Sequence, residues 1–373
     1  MAHFYEHINL LVMPTDACNM NCVYCFHKPY TDNICKMDLA TVKRLFDITA
    51  PHYKSVNVIW HGGEPLLMGL QFYKDVLELQ RGYSCKFTNS VQSNLTLLTP
   101  ELADFFAENN VDISGSFDGV CNEQSRGRTQ DILSCRELMI ERKKRCGFIM
   151  VVSGLNVDHL IESYNFFKKL DISFSLNLYL DQKENHSQPL QLHEENTIFR
   201  LNELFDYWAS DITATTHISY FKHILDFLLQ KKKTLCSYTS CLGRWMGVHA
   251  DGSLSPCNRY FPAEYSLGNI HDYNDIGEAF ESSGFQLLIQ EAIERRNKCQ
   301  QCDIFDFCNG GCNNVAFNEN GVRNNDGLSC RILKAVYLHI SKFIDCIDLP
   351  SCENTLNPLL LDMLKTSKKA DIA

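Results

Sequence analysis

Ile8-Asn9-Leu10-Leu11-Val12-Met13-Pro14-Thr15-Asp16-Ala17-Cys18-Asn19-Met20-Asn21-Cys22-Val23-Tyr24-Cys25-Phe26 sets the terms on which the rest of the chain is read. Its first six residues, apolar but for Asn9 and stopped by a proline, have the pattern of a short buried strand. The loop beyond Pro14 carries three cysteines spaced C-x3-C-x2-C. A [4Fe-4S] cluster normally takes four thiolates, and a structural zinc takes four ligands in a closed tetrahedron. Three thiols in one short loop satisfy neither closed site. They suit a cluster whose fourth iron accepts something else, a chelating small molecule being the natural candidate. With 18 cysteines in 373 residues the spacing also arises by chance, so the triad alone is only suggestive.

Outward from the triad, apolar runs alternate with amphipathic ones. Leu39, Val42, Leu45 and Phe46 define a helix to about Ala50, with Asp38 as N-cap. Val56–Trp60 reads as a second strand. Further helices are expected at Leu70–Gln80, Pro100–Asn109, Ile132–Lys144 and Val157–Leu170, and further strands at Cys85–Gln92, Val111–Phe117, Phe148–Val152 and Ser173–Leu180. Strands alternating with helices imply βαβ units and a parallel sheet. About six units are too few for a closed eight-stranded barrel, so the expected fold class is α/β, an open partial (β/α)6 barrel. Ligands then gather at the C-terminal ends of the strands. His61-Gly62-Gly63-Glu64-Pro65 follows directly on the second strand, and its glycines let backbone approach a ligand with no Cβ in the way. A tight strand-to-helix turn explains the same residues. Beside the triad at the same sheet end, they read as a binding loop.

The barrel with its trailing helices is assigned to residues 1–233. From about Leu190 to Gln230 the chain reads as helical, and Lys231-Lys232-Lys233 as a solvated helix end or a contact for an acidic peptide segment. A cysteine-rich second domain is assigned to 234–348, where regular periodicity fades until a last helix at about Arg331–Cys346. The C-terminal tail, 349–373, follows, loosely attached from Thr355 to Ala373. The second domain holds Cys236, Cys241, Cys257, Cys299, Cys302, Cys308, Cys312 and Cys330, the middle group reading C-x2-C-x5-C-x3-C. Eight thiols supply two closed four-thiolate sites. Zinc fits that count, as do two iron-sulfur clusters; the triad favours iron, because an open cluster beside closed ones makes an electron path. Of the remaining cysteines, Cys35, Cys85, Cys121, Cys135, Cys146, Cys346 and Cys352, most are expected to be small buried hydrophobes.

A net charge of -10 argues against nucleic acid or an anionic membrane as the main partner, and tolerates a basic peptide. No apolar run approaches a bilayer span. Met1–His7 has no basic segment leading into an apolar core and cleavage site, and a chain this large needs no disulfide staples. A cytoplasmic, reducing setting is expected.

The C-x3-C-x2-C triad followed by Gly62-Gly63-Glu64-Pro65 resembles the radical S-adenosylmethionine (radical SAM) enzymes. Cys241, Gly252 and Cys257 in a C-x10-G-x4-C pattern, then C-x2-C-x5-C-x3-C and a last cysteine, resemble their SPASM extension. The resemblance implies three [4Fe-4S] clusters. Cys18, Cys22 and Cys25 would hold the one whose free iron binds S-adenosylmethionine. By analogy Cys236, Cys241, Cys257 and Cys312 hold the first auxiliary cluster, and Cys299, Cys302, Cys308 and Cys330 the second. Gly62, Gly63 and Glu64 would meet the methionyl amine, while Ser93, Asn94, Ser116 and Leu178 fall where the family lines the cofactor pocket. A 5'-deoxyadenosyl radical and a two-electron oxidation follow from those parts, with a reducing partner such as flavodoxin or ferredoxin.

In layout the chain is similar to anaerobic sulfatase-maturing enzymes, which oxidise a Cys or Ser to formylglycine, but it departs from them at three positions. His27 stands where they have Tyr, His61 where they have Gln, and Asn258 where they have the Asp proposed as base. Asn accepts no proton at ordinary pH, so His27 or His61 becomes the substitute candidate. The His-Gly-Gly-Glu-Pro-Leu-Leu loop looks instead like SPASM enzymes that modify ribosomally made peptides. The expected activity is therefore a peptide crosslink, carbon-carbon or thioether, with sulfatase maturation as the alternative. A non-catalytic electron carrier or zinc scaffold is the reading from another class.

Overall fold

The computed structural model describes residues 5–25, 35–180, 188–259, 261–348, 352 and 354–370. The chain packs as two compact units, one of Met1–Ser116, Arg126–Cys146 and Cys241–Glu291, the other of Phe117–Ser125, Gly147–Ser240 and Ala292–Ala373.

In the first unit, strands β1 (His7–Val12), β2 (Ser55–Trp60), β3 (Lys86–Ser93) and β4 (Asp112–Ser116) lie parallel in sequence order. Parallel neighbours need crossovers, and helices Leu39–Thr49, Gly69–Gln80 and Pro100–Glu108 supply them. The strand interiors are fully buried at Leu10, Val12, Val56 and Val58, as expected of a parallel sheet. Asp38 caps the first helix, its Oδ1 accepting from the Thr41 amide at 2.7 Å. Val42, Leu45 and Phe46 are buried beneath it, but Leu39 is exposed: the packed stripe starts one turn later than expected. On the far edge of β1 the chain adds a strand the sequence did not announce. This is β7 (Trp245–Val248), parallel to β1 with Val12 opposite Val248, and followed antiparallel by the two-residue β8 (Leu254–Ser255).

The second unit carries β5 (Phe148–Val152) and β6 (Phe174–Leu178), parallel and joined through helix Leu160–Lys169. The fold is thus an α/β partial (β/α)6 half-barrel of curled parallel sheet. Helices Glu194–Ala209, Ser219–Gln230 and Leu328–Asp345 converge on Phe205, whose ring meets Phe221 and Phe343 edge-on with centroids 5.3 and 5.2 Å away.

Three expectations need correction. The tail is not loosely attached: helix Pro358–Ala370 buries Leu360 fully. Asn357 donates its amide to the Ala209 carbonyl and its Nδ2 to that of Trp208, both at 2.8 Å, and Ser367 Oγ donates to the Leu229 carbonyl. A regular helix, Ser283–Cys299, occupies a stretch read as irregular. Its inner face buries Glu291 and Arg295 beside Phe285, Leu288 and Ala292, so the apolar period is broken by polar residues that find internal partners. Of the seven spare cysteines only Cys121 and Cys146 are buried, and Cys346 is exposed. No described helix is long and apolar enough to cross a membrane.

Candidate active site

The triad loop leaves the C-terminal end of β1 and the glycine loop leaves that of β2. The two are stitched together before either reaches a ligand. The Gly63 amide donates to the Thr15 carbonyl (3.0 Å) and the Glu64 amide to that of Ala17 (2.7 Å). Both glycines are required by this contact. Gly62 has φ +108° and a Cβ there would fall 2.9 Å from Met13 Cβ, while one on Gly63 would fall 2.1 Å from the Ala17 oxygen. Close backbone approach is what glycine permits, and here it fixes the residue just before Cys18.

Glu64 is the centre of a buried hydrogen-bonded group. Its carboxylate accepts from Ser93 Oγ (2.7 Å), the Asn94 amide (2.8 Å) and the Leu66 amide (2.9 Å), and it is 1% exposed. Burial raises its pKa; the Asn94, Leu66 and Ser93 hydrogen bonds and the charge of Arg126 oppose that. Asn94 in turn reaches the triad, its Nδ2 lying 2.8 Å from Asn19 Oδ1 and 3.9 Å from Cys18 Sγ. The structure therefore brings Cys18, Glu64, Ser93 and Asn94 into one connected group. Cys18 and Cys25 feel each other electrostatically, and burial raises the Cys18 thiol. Ser116, at the end of β4, accepts from Gln92 Nε2 (2.9 Å). Leu178 ends β6 in the other unit.

Arg126 belongs to this group, and no spacing in the sequence marks it. It donates Nη1–H to the Tyr24 hydroxyl at 2.7 Å, and its charge favours the ionised forms of both Glu64 and Cys18. A buried carboxylate, with three thiols in the adjoining loop, suits a zwitterionic chelator of iron: the amine has Glu64 to meet and the thiols have the metal. The donor set fits the group the triad implies.

The three substitution positions separate. His27 lies outside the described residues. His61 accepts the Gly62 amide on Nδ1 (2.7 Å). Desolvation first, and the Arg259 charge second, lower its pKa to about 4, which makes it a weak base at neutral pH. Its basicity is then close to that of an ordinary aspartate carboxylate. Asn258 Oδ1 accepts from the Cys257 thiol at 3.2 Å, so its side chain is turned to a cysteine of the cysteine-rich segment.

In the second unit Cys299, Cys302, Cys308 and Cys330 share one electrostatic neighbourhood. Burial is the main cause that pushes Cys308 up to about 11, with Cys330, Cys299 and Cys302 adding to it, and Cys330 is raised likewise by burial and then by Cys299 and Cys302. Arg295, 2% exposed, braces the loops around them, donating Nε to the Gly310 carbonyl (2.9 Å), Nη2 to Asn313 Oδ1 (2.5 Å) and Nη1 to the Val322 carbonyl. Cys236 and Cys312 lie within the electrostatic reach of buried Tyr238, as does Cys308. Cys241 and Cys257 belong to the first unit. Among the described residues, no three or more His, Cys, Asp or Glu are arranged to hold a single metal ion.

Residues 12–167 match the model of the radical SAM superfamily, and residues 236–303 that of the SPASM iron-sulfur cluster-binding domain. The chain is a radical SAM enzyme with a SPASM domain. Its cofactors are S-adenosylmethionine and [4Fe-4S] clusters. Among curated proteins this radical SAM enzyme is similar to the cysteine-type anaerobic sulfatase-maturating enzyme of Clostridium novyi (strain NT), 27% identical over 360 residues and covering 88% of this chain and 94% of that one. It is also similar to the serine-type enzyme of Bacteroides thetaiotaomicron, 25% identical with 92% of each chain covered. Among solved structures, native anSMEcpe with bound AdoMet and the Kp18Cys peptide superposes with a TM-score of 0.81 at 25% identity, over 91% of this chain and 98% of that one. Streptococcus suis SuiB, at 17% identity and TM-score 0.61, covering 87% and 77%, shares the fold.

Proposed function

We propose that this radical SAM enzyme oxidises a cysteine of a peptide or protein substrate to formylglycine. The observation that carries the reading is likeness along both domains to a cysteine-type sulfatase-maturating relative, over 88% of this chain and 94% of that one. The crosslink preferred on sequence grounds becomes the second reading, because the relatives favour the alternative and SuiB shares only the fold.

When bound, a reduced cluster and S-adenosylmethionine supply a 5'-deoxyadenosyl radical that takes hydrogen from an unactivated carbon. The residues of this chain do the rest. Cys18, Cys22 and Cys25 would hold the iron and Glu64 would orient the amine; Ser93 and Asn94 keep the Glu64 carboxylate in place, and Ser116 stands at the end of β4. Cys236, Cys241, Cys257 and Cys312, and Cys299, Cys302, Cys308 and Cys330, would hold two auxiliary clusters able to take up an electron, with a flavodoxin or ferredoxin as the reducing partner. The assigned domains, 1–233, 234–348 and 349–373, follow this division of labour.

Asn258 bears on which residue is oxidised. A substrate thiol, with a pKa of about 8.5, gives up its proton to a weak base or to water, whereas a serine hydroxyl, far less acidic, needs a stronger one. With Asn258 in place of the Asp, and so no carboxylate base at that position, a cysteine substrate suits this site. The test is anaerobic turnover of matched sulfatase-type peptides carrying Cys or Ser at the same position. Formylglycine from the Cys peptide alone supports the reading. Loss of two hydrogens without an aldehyde supports the crosslink, and equal conversion of Ser overturns the argument from the base.

A further inference from the structure

We propose that Asn258 is a hydrogen-bond donor to the Cys257 thiolate and thereby raises the reduction potential of the auxiliary cluster that Cys257 ligates. The proposal rests on the reading of Cys257 as a cluster ligand. The Cys257 thiol and Asn258 Oδ1 lie 3.2 Å apart, the thiol donating. A carboxamide carries an acceptor and a donor at its tip. When iron takes the cysteine as thiolate the proton is gone, and a half-turn about the last side-chain torsion puts Nδ2–H where Oδ1 was, toward a sulfur that now only accepts. The main chain at Cys257 is tied in place. Ser255 Oγ donates to the Cys257 carbonyl at 2.7 Å, and His249 Nε2 lies 3.1 Å from the same Oγ. Beneath them Gly247 leaves no space, since a Cβ there would come within 2.3 Å of Ser255 Oγ and 2.5 Å of the Cys257 oxygen.

Hydrogen bonds to cluster sulfurs and net charge are among the levers that set a cluster's potential. An N–H toward the thiolate draws off negative charge and eases uptake of an electron. A carboxylate in the same place does the reverse, placing a like charge against the thiolate and the added electron. The asparagine that deprives this chain of one candidate base therefore gives it a better electron acceptor. Asn258 acts here as a positioning residue: it works through Cys257.

The test is an EPR-monitored redox titration of full-length, reconstituted protein in which Cys18→Ala, Cys22→Ala and Cys25→Ala leave only the auxiliary clusters to titrate. One of two waves is expected to move and the other to serve as internal control. Asn258→Asp should disfavour reduction of its cluster at least tenfold, a fall of about 59 mV for a one-electron couple. Asn258→Ala should move the same wave in the same direction by less. Cys257→Ala should lose roughly four irons per chain. If that iron is lost yet both waves stay in place in Asn258→Asp and Asn258→Ala, the role of Asn258 is overturned while Cys257 keeps its own. If Cys257→Ala retains all its iron, the ligand reading fails and the proposal falls with it.

Discussion

Replacing Glu64 by Gln separates what this residue does for the fold from what it does for the cofactor. The carboxylate accepts three hydrogen bonds in a pocket that leaves it 1% exposed. Gln keeps the shape and one acceptor oxygen. It turns an N–H toward one former donor, at a cost of roughly 1–3 kcal/mol, and removes a buried charge whose desolvation is the main cause that raises the Glu64 pKa. These effects oppose each other, so the fold should shift by about 1 kcal/mol or less. The amine of S-adenosylmethionine has no such compensation: a charge-assisted hydrogen bond of about 1.5–3 kcal/mol is lost, or roughly a 10- to 150-fold weaker Kd. Calorimetric titration of S-adenosylmethionine into reconstituted wild type and E64Q, with urea unfolding of both, reads the two quantities separately. Because the folded chain binds the Glu64 proton more strongly than the unfolded one does, this group's stabilisation is fully present below 4.5 and is lost as pH rises through the raised folded value. E64Q should abolish that dependence. Wild-type affinity in E64Q would refute the assignment of Glu64 to the amine.

Three further outcomes are expected. Gly63→Ala, whose Cβ would sit 2.1 Å from the Ala17 oxygen, should displace the triad loop and lose roughly four irons while the far-UV circular dichroism stays native; full iron loading would show that the stitch does not position the triad. His61 should remain neutral until the pH nears 4, and because its folded pKa lies below the ordinary 6.5, its contribution to stability should be present above 6.5 and fade as pH falls toward 4. NMR of the imidazole, with His61→Gln as the flat control, checks this, and an ordinary midpoint contradicts it. Deleting residues 357–373 uncovers the side chains that Leu360 and Leu364 pack against and should cost roughly 3–6 kcal/mol at 1.5–3 kcal/mol per buried leucine; unchanged urea unfolding would mean that the tail helix contributes little.

Legibility in the sequence followed how local the signal was. β1 and β2 were readable because their apolar runs end at Pro14 and at the Gly62-Gly63 pair, and the Asp38 cap because capping is a contact within one turn. The link between the triad and the glycine loop was readable as proximity, from the shared sheet end, but not as the two backbone hydrogen bonds that make it. β7 went unseen because four residues containing Gly247 carry little strand pattern; its place comes from pairing with β1, far away in sequence. Helix Ser283–Cys299 was masked by Glu291 and Arg295, polar residues whose burial is tolerated because Tyr265 and the Gly310 carbonyl pair with them. Arg126 had no signal at all: a single arginine acquires a role only when the fold brings Tyr24, Cys18 and Glu64 around it. The choice of substrate lay least in the motifs, since the triad identifies a radical source and leaves the oxidised residue to the pocket.

The measurement that bears most directly on the whole account is anaerobic turnover of the reconstituted enzyme with dithionite, S-adenosylmethionine and a cysteine-bearing sulfatase-type peptide, following 5'-deoxyadenosine and peptide mass together. The account expects both 5'-deoxyadenosine and formylglycine, and neither from the Cys18→Ala, Cys22→Ala, Cys25→Ala protein. Intact clusters with no 5'-deoxyadenosine would contradict it.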